Sequence, residues 1–440
     1  MKKILKFFTI KFFLLLVILN QNAISKSLPP GSGAGDVKAN ILILLDTSLS
    51  MTNKPFGGAA IYYPGDLILL DSGDVIVGQG NSGAIVKFRY SDEQFDNSFV
   101  DPDGDGSGQR IFMGSNSMPS CVLESGRVDT RIRNVGSMDI SKDVNGMGNS
   151  EVIYAVAREL EKVVAIDADG TCVEAIDSAQ LGKRGSGGFS KIYPRGLDIR
   201  TISSEDHLIV TGIDVSCTKT RTRGRGKRRR TVCVSYNYEA VWFARNLTTG
   251  VEKVCTIGSS EDINLREALH NSLSIALDDG KNAYILYGSV IYKYPIQKDA
   301  DGVYCPKSGQ TATAFTPGQN GSAFNYPTQI DIDPESDSIM YATSSYNNTV
   351  QKLAISTSAI TTTTTVGSYG ADATPSTGTP VNLSQPGGLF VSEDRVWIGG
   401  NKVSIQEFDI SVGDNITWVD EMGTSRKSRA QGAKDAIIAV

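Results

Sequence analysis

The chain has 440 residues, 40% of them hydrophobic and 21% charged, enough apolar material for one large core or several small ones. A net charge of −5 gives no global signal for nucleic-acid binding, and only two histidines, His207 and His270, argue against a histidine-based hydrolase. Forty-five glycines and almost no helical periodicity favour a β-rich chain.

Residues 1–25 read as a signal peptide. Lys2, Lys3 and Lys6 form a basic segment, "FFLLLVILN" from Phe12 an apolar one, and Ala23 and Ser25 suit the small positions before cleavage after Ser25. The apolar run is short for a membrane span, a retained N-terminal anchor being the alternative, and no later segment is long enough to cross a bilayer. No stable transmembrane anchor is therefore expected. The mature chain is expected in the periplasm, at the outer cell surface or outside the cell. Losing Lys2, Lys3, Lys6 and Lys11 leaves 39 basic against 48 acidic residues, a balance of −9.

Residues 26–51 read as a linker, a strand and a loop of oxygen donors. The apolar run Ile41–Leu45 suits a strand buried on both faces, as in a parallel sheet. "DTSLSM" then places Asp46, Ser48 and Ser50 on one tight loop, a hard-oxygen set suited to magnesium, manganese or calcium. The alternative is a strand end followed by an ordinary Ser, Thr and Asp turn. "LLDTSLSM" resembles the metal-ion-dependent adhesion site of von Willebrand factor A domains, whose bacterial form often reads "LLDTSGSM". The resemblance implies Mg2+ or Mn2+ held directly by Ser48 and Ser50, and by Asp46 directly or through water. Leu49 stands where glycine is usual, which stiffens the loop but removes no ligand.

Residues 52–425 contain recurring units, among them "GDLILLDSGDVIVGQGNSGAIVKF" from Gly65, "RGLDIRTISSEDHLIVTGI" from Arg195 and "PGGLFVSEDRVWIGGNKVSIQEFD" from Pro386. Each is an apolar strand, an acidic turn, a second strand, a Gly/Asn turn and a third strand. Aligning Ile68, Met138, Leu197, Ile275, Ile330 and Leu389 gives spacings of 70, 59, 78, 55 and 59. Such recurrence predicts a β-propeller of about six blades, the rival being a β-sandwich or two small β domains. "YNNTVQKL", Tyr346 to Leu353, resembles the end of an NHL repeat. Tyr341 and Trp397 are expected in the core, and no tryptophan pattern suggests a quinone cofactor.

Two loops in this region stand out. "DPDGDGSGQR" sets Asp101, Asp103 and Asp105 at alternate positions before Gly106, the pattern of a Ca2+ loop. Phe112 and Gln109 stand where related loops carry an acid, so another ligand must come from a backbone carbonyl or Asp96; a solvated acidic turn is the alternative. "KTRTRGRGKRRR", Lys219 to Arg230, has eight basic residues in twelve: Lys219, Arg221, Arg223, Arg225, Lys227, Arg228, Arg229 and Arg230. It reads as a hairpin tip, too Gly-rich for a helix, for an anionic surface such as lipopolysaccharide, extracellular DNA or acidic polysaccharide, or else as a solvated loop. Cys217 and Cys233 flank it and form the best pair among six cysteines, which allow 15 connectivities.

In residues 426–440, Ala430, Ala433, Ile437 and Val440 share one helical face and Ser428 suits an N-cap. This resembles the first helix of a von Willebrand A domain, so the propeller reads as inserted into the start of an incomplete α/β domain. The chain would stop inside that helix, as a fragment. The architecture resembles the PilY/PilC family of type IV pilus tip and biogenesis proteins, although there the propeller follows the A domain. The resemblance implies an exported, non-enzymatic, metal-dependent adhesion or pilus-biogenesis protein. Its partners would be a protein or surface glycan ligand, or pilus components. The alternative is a periplasmic or extracellular propeller enzyme, a lyase or a quinoprotein-like dehydrogenase. Ionisable residues clustered at the propeller axis would favour the enzyme.

Overall fold

Short apolar runs alternating with Gly, Asp and Asn turns fold as antiparallel sheets, because each run is long enough to cross a sheet once and each turn reverses it. The first turn shows how: Gly73 has φ 84°, a left-handed conformation open to glycine, and lets Leu70 bond back to Asp74 over 2.9 Å. The computed structural model describes residues 64–79, 85–89, 94–95, 135–142, 151–170, 172–183, 190–224, 229–255, 257, 263–270, 272–317, 324, 327–366, 383, 386–392, 394–400, 404–411 and 417–422.

These form a six-bladed β-propeller, each blade built from consecutive strands. Blade one is β1 (Pro64–Leu69), β2 (Val75–Gln79), β3 (Ile85–Arg89) and β4 (Gln94–Phe95). Blade two is β5 (Val135–Ser141), β6 (Val152–Ala157), β7 (Lys162–Asp167) and β8 (Cys172–Ile176). Blade three is β9 (Lys191–Ile202), β10 (Glu205–Arg223), β11 (Arg230–Asn246) and β12 (Glu252–Val254). Blade four is β13 (Ser274–Leu277), β14 (Asn282–Tyr287), β15 (Val290–Lys298) and β16 (Tyr304–Pro306), with β17 (Thr313–Phe315) also paired to β15. Blade five is β18 (Pro327–Ile332), β19 (Ile339–Ser344), β20 (Thr349–Ile355) and β21 (Ile360–Val366). Blade six is β22 (Gly388–Val391), β23 (Arg395–Gly400), β24 (Ser404–Asp409) and β25 (Thr417–Met422).

Six apolar clusters hold the six interfaces between blades. Ile68 and Ile76 meet Met138 and Ile153 between blades one and two, and Trp397 and Ile405 meet Leu67, Val77 and Phe88 where blade six closes on blade one. Tyr341 and Trp397 are both core residues. Cys255 and Cys305, with Cα atoms 5.7 Å apart, staple blade three to blade four, and Trp242 Nε1 donates to the Tyr304 carbonyl across the same interface at 3.0 Å. Cys217 and Cys233 are also bridged, with Cα atoms 6.0 Å apart.

Several expectations need correction. Every blade carries a fourth, outer strand beyond the three visible in its sequence unit. In blade one it is Leu67, not Ile68, that matches Met138, Leu197, Ile275, Ile330 and Leu389: each of these packs against the preceding blade, whereas Ile68 packs against the following one. An unforeseen helix, α1 (Ile263–His270), buries Leu265, Ala268 and Leu269 between blades three and four. The basic stretch does sit at the end of a hairpin, as expected, with β10 running on to Arg223 and β11 starting at Arg230. No helix among the described residues is long and apolar enough to cross a membrane. Residues 1–63, including Asp46, Ser48 and Ser50, lie outside the described residues. So do Asp101, Asp103 and Asp105, and the C-terminal residues 426–440. The interrupted α/β domain therefore remains an expectation from sequence.

The closing seam is tight. A Cβ on Gly388, at the start of β22, would lie 3.0 Å from the carbonyl carbon of Asp66 on β1. Gly388→Val is expected to destabilise the protein by about 2 kcal/mol through overpacking, read as a lower urea midpoint. An unchanged midpoint would contradict this seam.

Candidate active site at the propeller axis

The innermost strand of each blade leaves one edge unpaired toward the axis, and its amides need acceptors. Side chains of the preceding blade supply them. Asp66 Oδ2 on β1 accepts the Met138 amide at 2.7 Å, and Asp139 Oδ2 on β5 accepts that of Ile199 at 2.6 Å. Asp198 Oδ2 on β9 accepts from Leu277 at 2.9 Å, and Asp331 Oδ2 on β18 from Val391 at 3.1 Å. In blade four a hydroxyl takes the role: Ser274 Oγ accepts the Ile330 amide at 3.3 Å.

Asp139, Asp198 and Asp331 occupy the same place in their blades, and Asp66 sits two residues earlier in its own. The four line one narrow polar pocket with Ser137, Ser274 and Gln329. Its free space is about 310 Å³ including the open mouth. The innermost part has room for about one water. Asp66 is 2% exposed and Asp198 9%, while Asp139 and Asp331 are half-buried.

Burial makes these carboxyls hard to ionise. It raises Asp66 from 3.8 to about 7, against the lowering effect of the Met138 amide and the Gln329 side chain. Asp139 also rises to about 7, through burial and repulsion from Asp206. Burial and the neighbouring charges of Asp139 and Asp331 push Asp198 well above the usual range, and burial and Asp139 do the same to Asp331. Arg200 opposes the rise at Asp139, Asp198 and Asp331, but it is also held by Asp337 at 3.2 Å. Asp66 and Asp139 are thus poised to exchange a proton around neutral pH, the condition for general acid–base work. Among the described residues no three Asp, Glu, His or Cys side chains are arranged to hold a metal ion.

Two guanidiniums lie outside this pocket, one on the inner strand β9 and one in the short turn after β6. Arg195 is three residues before Asp198 on β9. Arg158 covers Gly136, three residues before Asp139 on β5, with its Nε where a Cβ on that glycine would go. Both Nε atoms are buried without a hydrogen-bond partner, and burial together with Arg195 lowers the Arg158 pKa to about 10. His207 is excluded from such chemistry: it is 1% exposed, packed edge-on against Tyr304, and lowered by burial to about 4.

None of the axial residues was among the candidates read from sequence. A signal was present: "SMDIS", "GLDIR" and "QIDID" each place an aspartate inside an apolar strand, one residue after the aligned core position. Of the expected anion-binding residues, Arg221, Arg223, Arg229 and Arg230 are exposed, whereas Arg225, Lys227 and Arg228 lie outside the described residues.

No family model and no curated protein matches the sequence. Solved structures do overlay on it. The luciferin-regenerating enzyme is 11% identical over 83% of this chain and 93% of its own, with a TM-score of 0.43. Virginiamycin B lyase from Staphylococcus aureus is 11% identical over 79% and 94%, with a TM-score of 0.38. A streptogramin B lyase is 9% identical over 84% and 86%, with a TM-score of 0.39. These neighbours are named as enzymes, which runs against the expectation of a non-enzyme. At such identities the likeness shows the fold alone and assigns no reaction.

The raised carboxyls make stability depend on pH. Between pH 3.8 and about 7 the folded state keeps protons that the unfolded chain has lost, so stability falls as pH rises through this window. His207 acts oppositely: its stability is lost as pH falls from 6.5 through about 4. Asp139→Asn keeps the acceptor for Ile199 and removes one titration. Relative to the parent it is expected to gain on the order of 1–3 kcal/mol on going from pH 5 to pH 8, measured by urea unfolding. Parallel pH profiles for the two proteins would refute the assignment.

Proposed function

We propose that the chain is an exported β-propeller enzyme, a lyase acting on a small acid-bearing substrate at the axial pocket. What supports this reading is the group of four carboxyls held above their usual range around one pocket, with two guanidiniums farther out that pair with no carboxylate among the described residues. The guanidiniums of Arg158 and Arg195 would receive the substrate's carboxylate and make the adjacent C–H more acidic. An ionised member of the Asp139, Asp198 and Asp331 group would remove that proton. The electron pair forms a C=C bond, the C–O bond to the leaving group breaks, and a protonated carboxyl donates its proton to the departing oxygen. A quinoprotein-like dehydrogenase is less well supported, because Phe390 is the only aromatic residue lining the pocket.

A survey of β-eliminable acids, including uronate-containing oligosaccharides, tests the reading through the ultraviolet absorbance of the new conjugated double bond. Asp139→Asn is expected to lower kcat by about 10²–10⁴ with the fold intact, and Arg158→Gln to raise KM. Absence of turnover across the survey, or unchanged kcat in Asp139→Asn, would sink it.

A second reading concerns the flank and rests on the D-x-S-x-S pattern of Asp46, Ser48 and Ser50. This von Willebrand A-type loop would take Mg2+ or Mn2+ and attach the propeller to a protein or glycan partner, with Ca2+ at Asp101, Asp103 and Asp105 stiffening a loop. Calorimetry of Asp46→Ala is expected to show loss of Mg2+ binding; unchanged affinity would remove the site.

A further inference from the structure

Blade three carries an arm. β10 pairs with β9 only as far as Val215, and β11 pairs with β12 only over Phe243–Arg245. From Ser216 to Arg223, and back from Arg230 to Asn237, the two strands pair only with each other. Eight residues at about 3.4 Å each make a ribbon about 27 Å long. The Cys217–Cys233 bridge clamps it, and Thr218 Oγ1 donates to the Ser235 carbonyl at 3.2 Å.

Register sorts the arm's side chains onto two faces. Arg221 lies opposite Val232 and Arg223 opposite Arg230, so Arg221, Arg223 and Arg230 share one face. Thr222 opposite Thr231 and Thr220 opposite Cys233 make up the other. Tyr236 lies opposite Cys217, and the disulfide puts both on the threonine face. The three arginines are exposed, and none of them has an ion pair among the described residues.

We propose that this arm binds duplex DNA, laying its arginine face into the major groove. That groove, about 12 Å wide, admits a two-stranded ribbon, and guanidinium forks match phosphates and guanine edges. The absence of aromatic residues from the arginine face disfavours single strands, which need rings for stacking. Apolar side chains on the arm, Val232 and Val234, are too few to anchor in a bilayer. An acidic protein confines such binding to the arm, where the positive charge is local.

The test is fluorescence anisotropy of a labelled random-sequence duplex titrated with the full chain at several salt concentrations. Binding is expected with a slope of log K against log salt of about −3, as for three neutralised phosphates. Arg221→Ser, Arg223→Ser and Arg230→Ser together are expected to weaken it at least about tenfold and to flatten the slope. Thr222→Ser, on the other face, is expected to leave it unchanged. Polygalacturonate competing equally at matched charge would assign the arm to acidic polysaccharide, and tighter binding to anionic vesicles would assign it to lipid. Either result, no binding, or a triple variant with the parent's slope would overturn the proposal.

Discussion

A β-strand that borders an open axis has amides with nowhere to go, and this propeller answers with side chains from the neighbouring blade. Asp66, Asp139, Asp198, Asp331 and Ser274 each accept an inner-strand amide of the next blade. Each such bond satisfies a donor that would cost about 1–3 kcal/mol if left orphaned. It also fixes how far one blade is staggered against the next. The apolar interfaces supply the bulk of cohesion, but they are tolerant of sliding; the directional bonds are not.

The same solution generates the chemistry. A serine in every blade would have served the amides without charge. Using carboxyls instead places four acidic groups around one narrow pocket, and burial then resists their ionisation. Scaffold and acid–base set are thus one group of atoms. The axial carboxyls cannot all be replaced by apolar residues without loosening the ring, whereas an asparagine keeps the acceptor and discards only the proton.

Much of the propeller was legible in the sequence, because blades repeat and β-periodicity is local. The six inner strands were found at their spacings, and only blade one was misframed, where "DLILL" offers two adjacent apolar residues to align. The outer strands were missed because many are short and face solvent on one side, so they lack a sustained pattern; β4 has two residues and β12 three. The helix α1 spans two turns, too few for a periodic signal. The axial site escaped for a different reason. Its residues come from four blades, and an aspartate within a strand looks like an irregularity until the repeats are stacked and the shared apolar–Asp–Ile pattern of three of them shows. The basic run was visible, but its sorting onto one face needed the register of β10 against β11.

Among the described residues every blade is made from consecutive strands and none is shared between the first and last blades, so β22 and β23 pack against β1 by side chains where the ring closes. This shapes how the protein is made. As the chain emerges N-terminus first, each blade can dock on the one before it, but blade one must wait more than 300 residues for Gly388 to reach Asp66. Until then the growing structure is an open arc, whose leading face displays Leu67, Val75, Val77 and Phe88 to water. That face is the apolar surface a chaperone would meet on the nascent chain, and it disappears only when the sixth blade arrives.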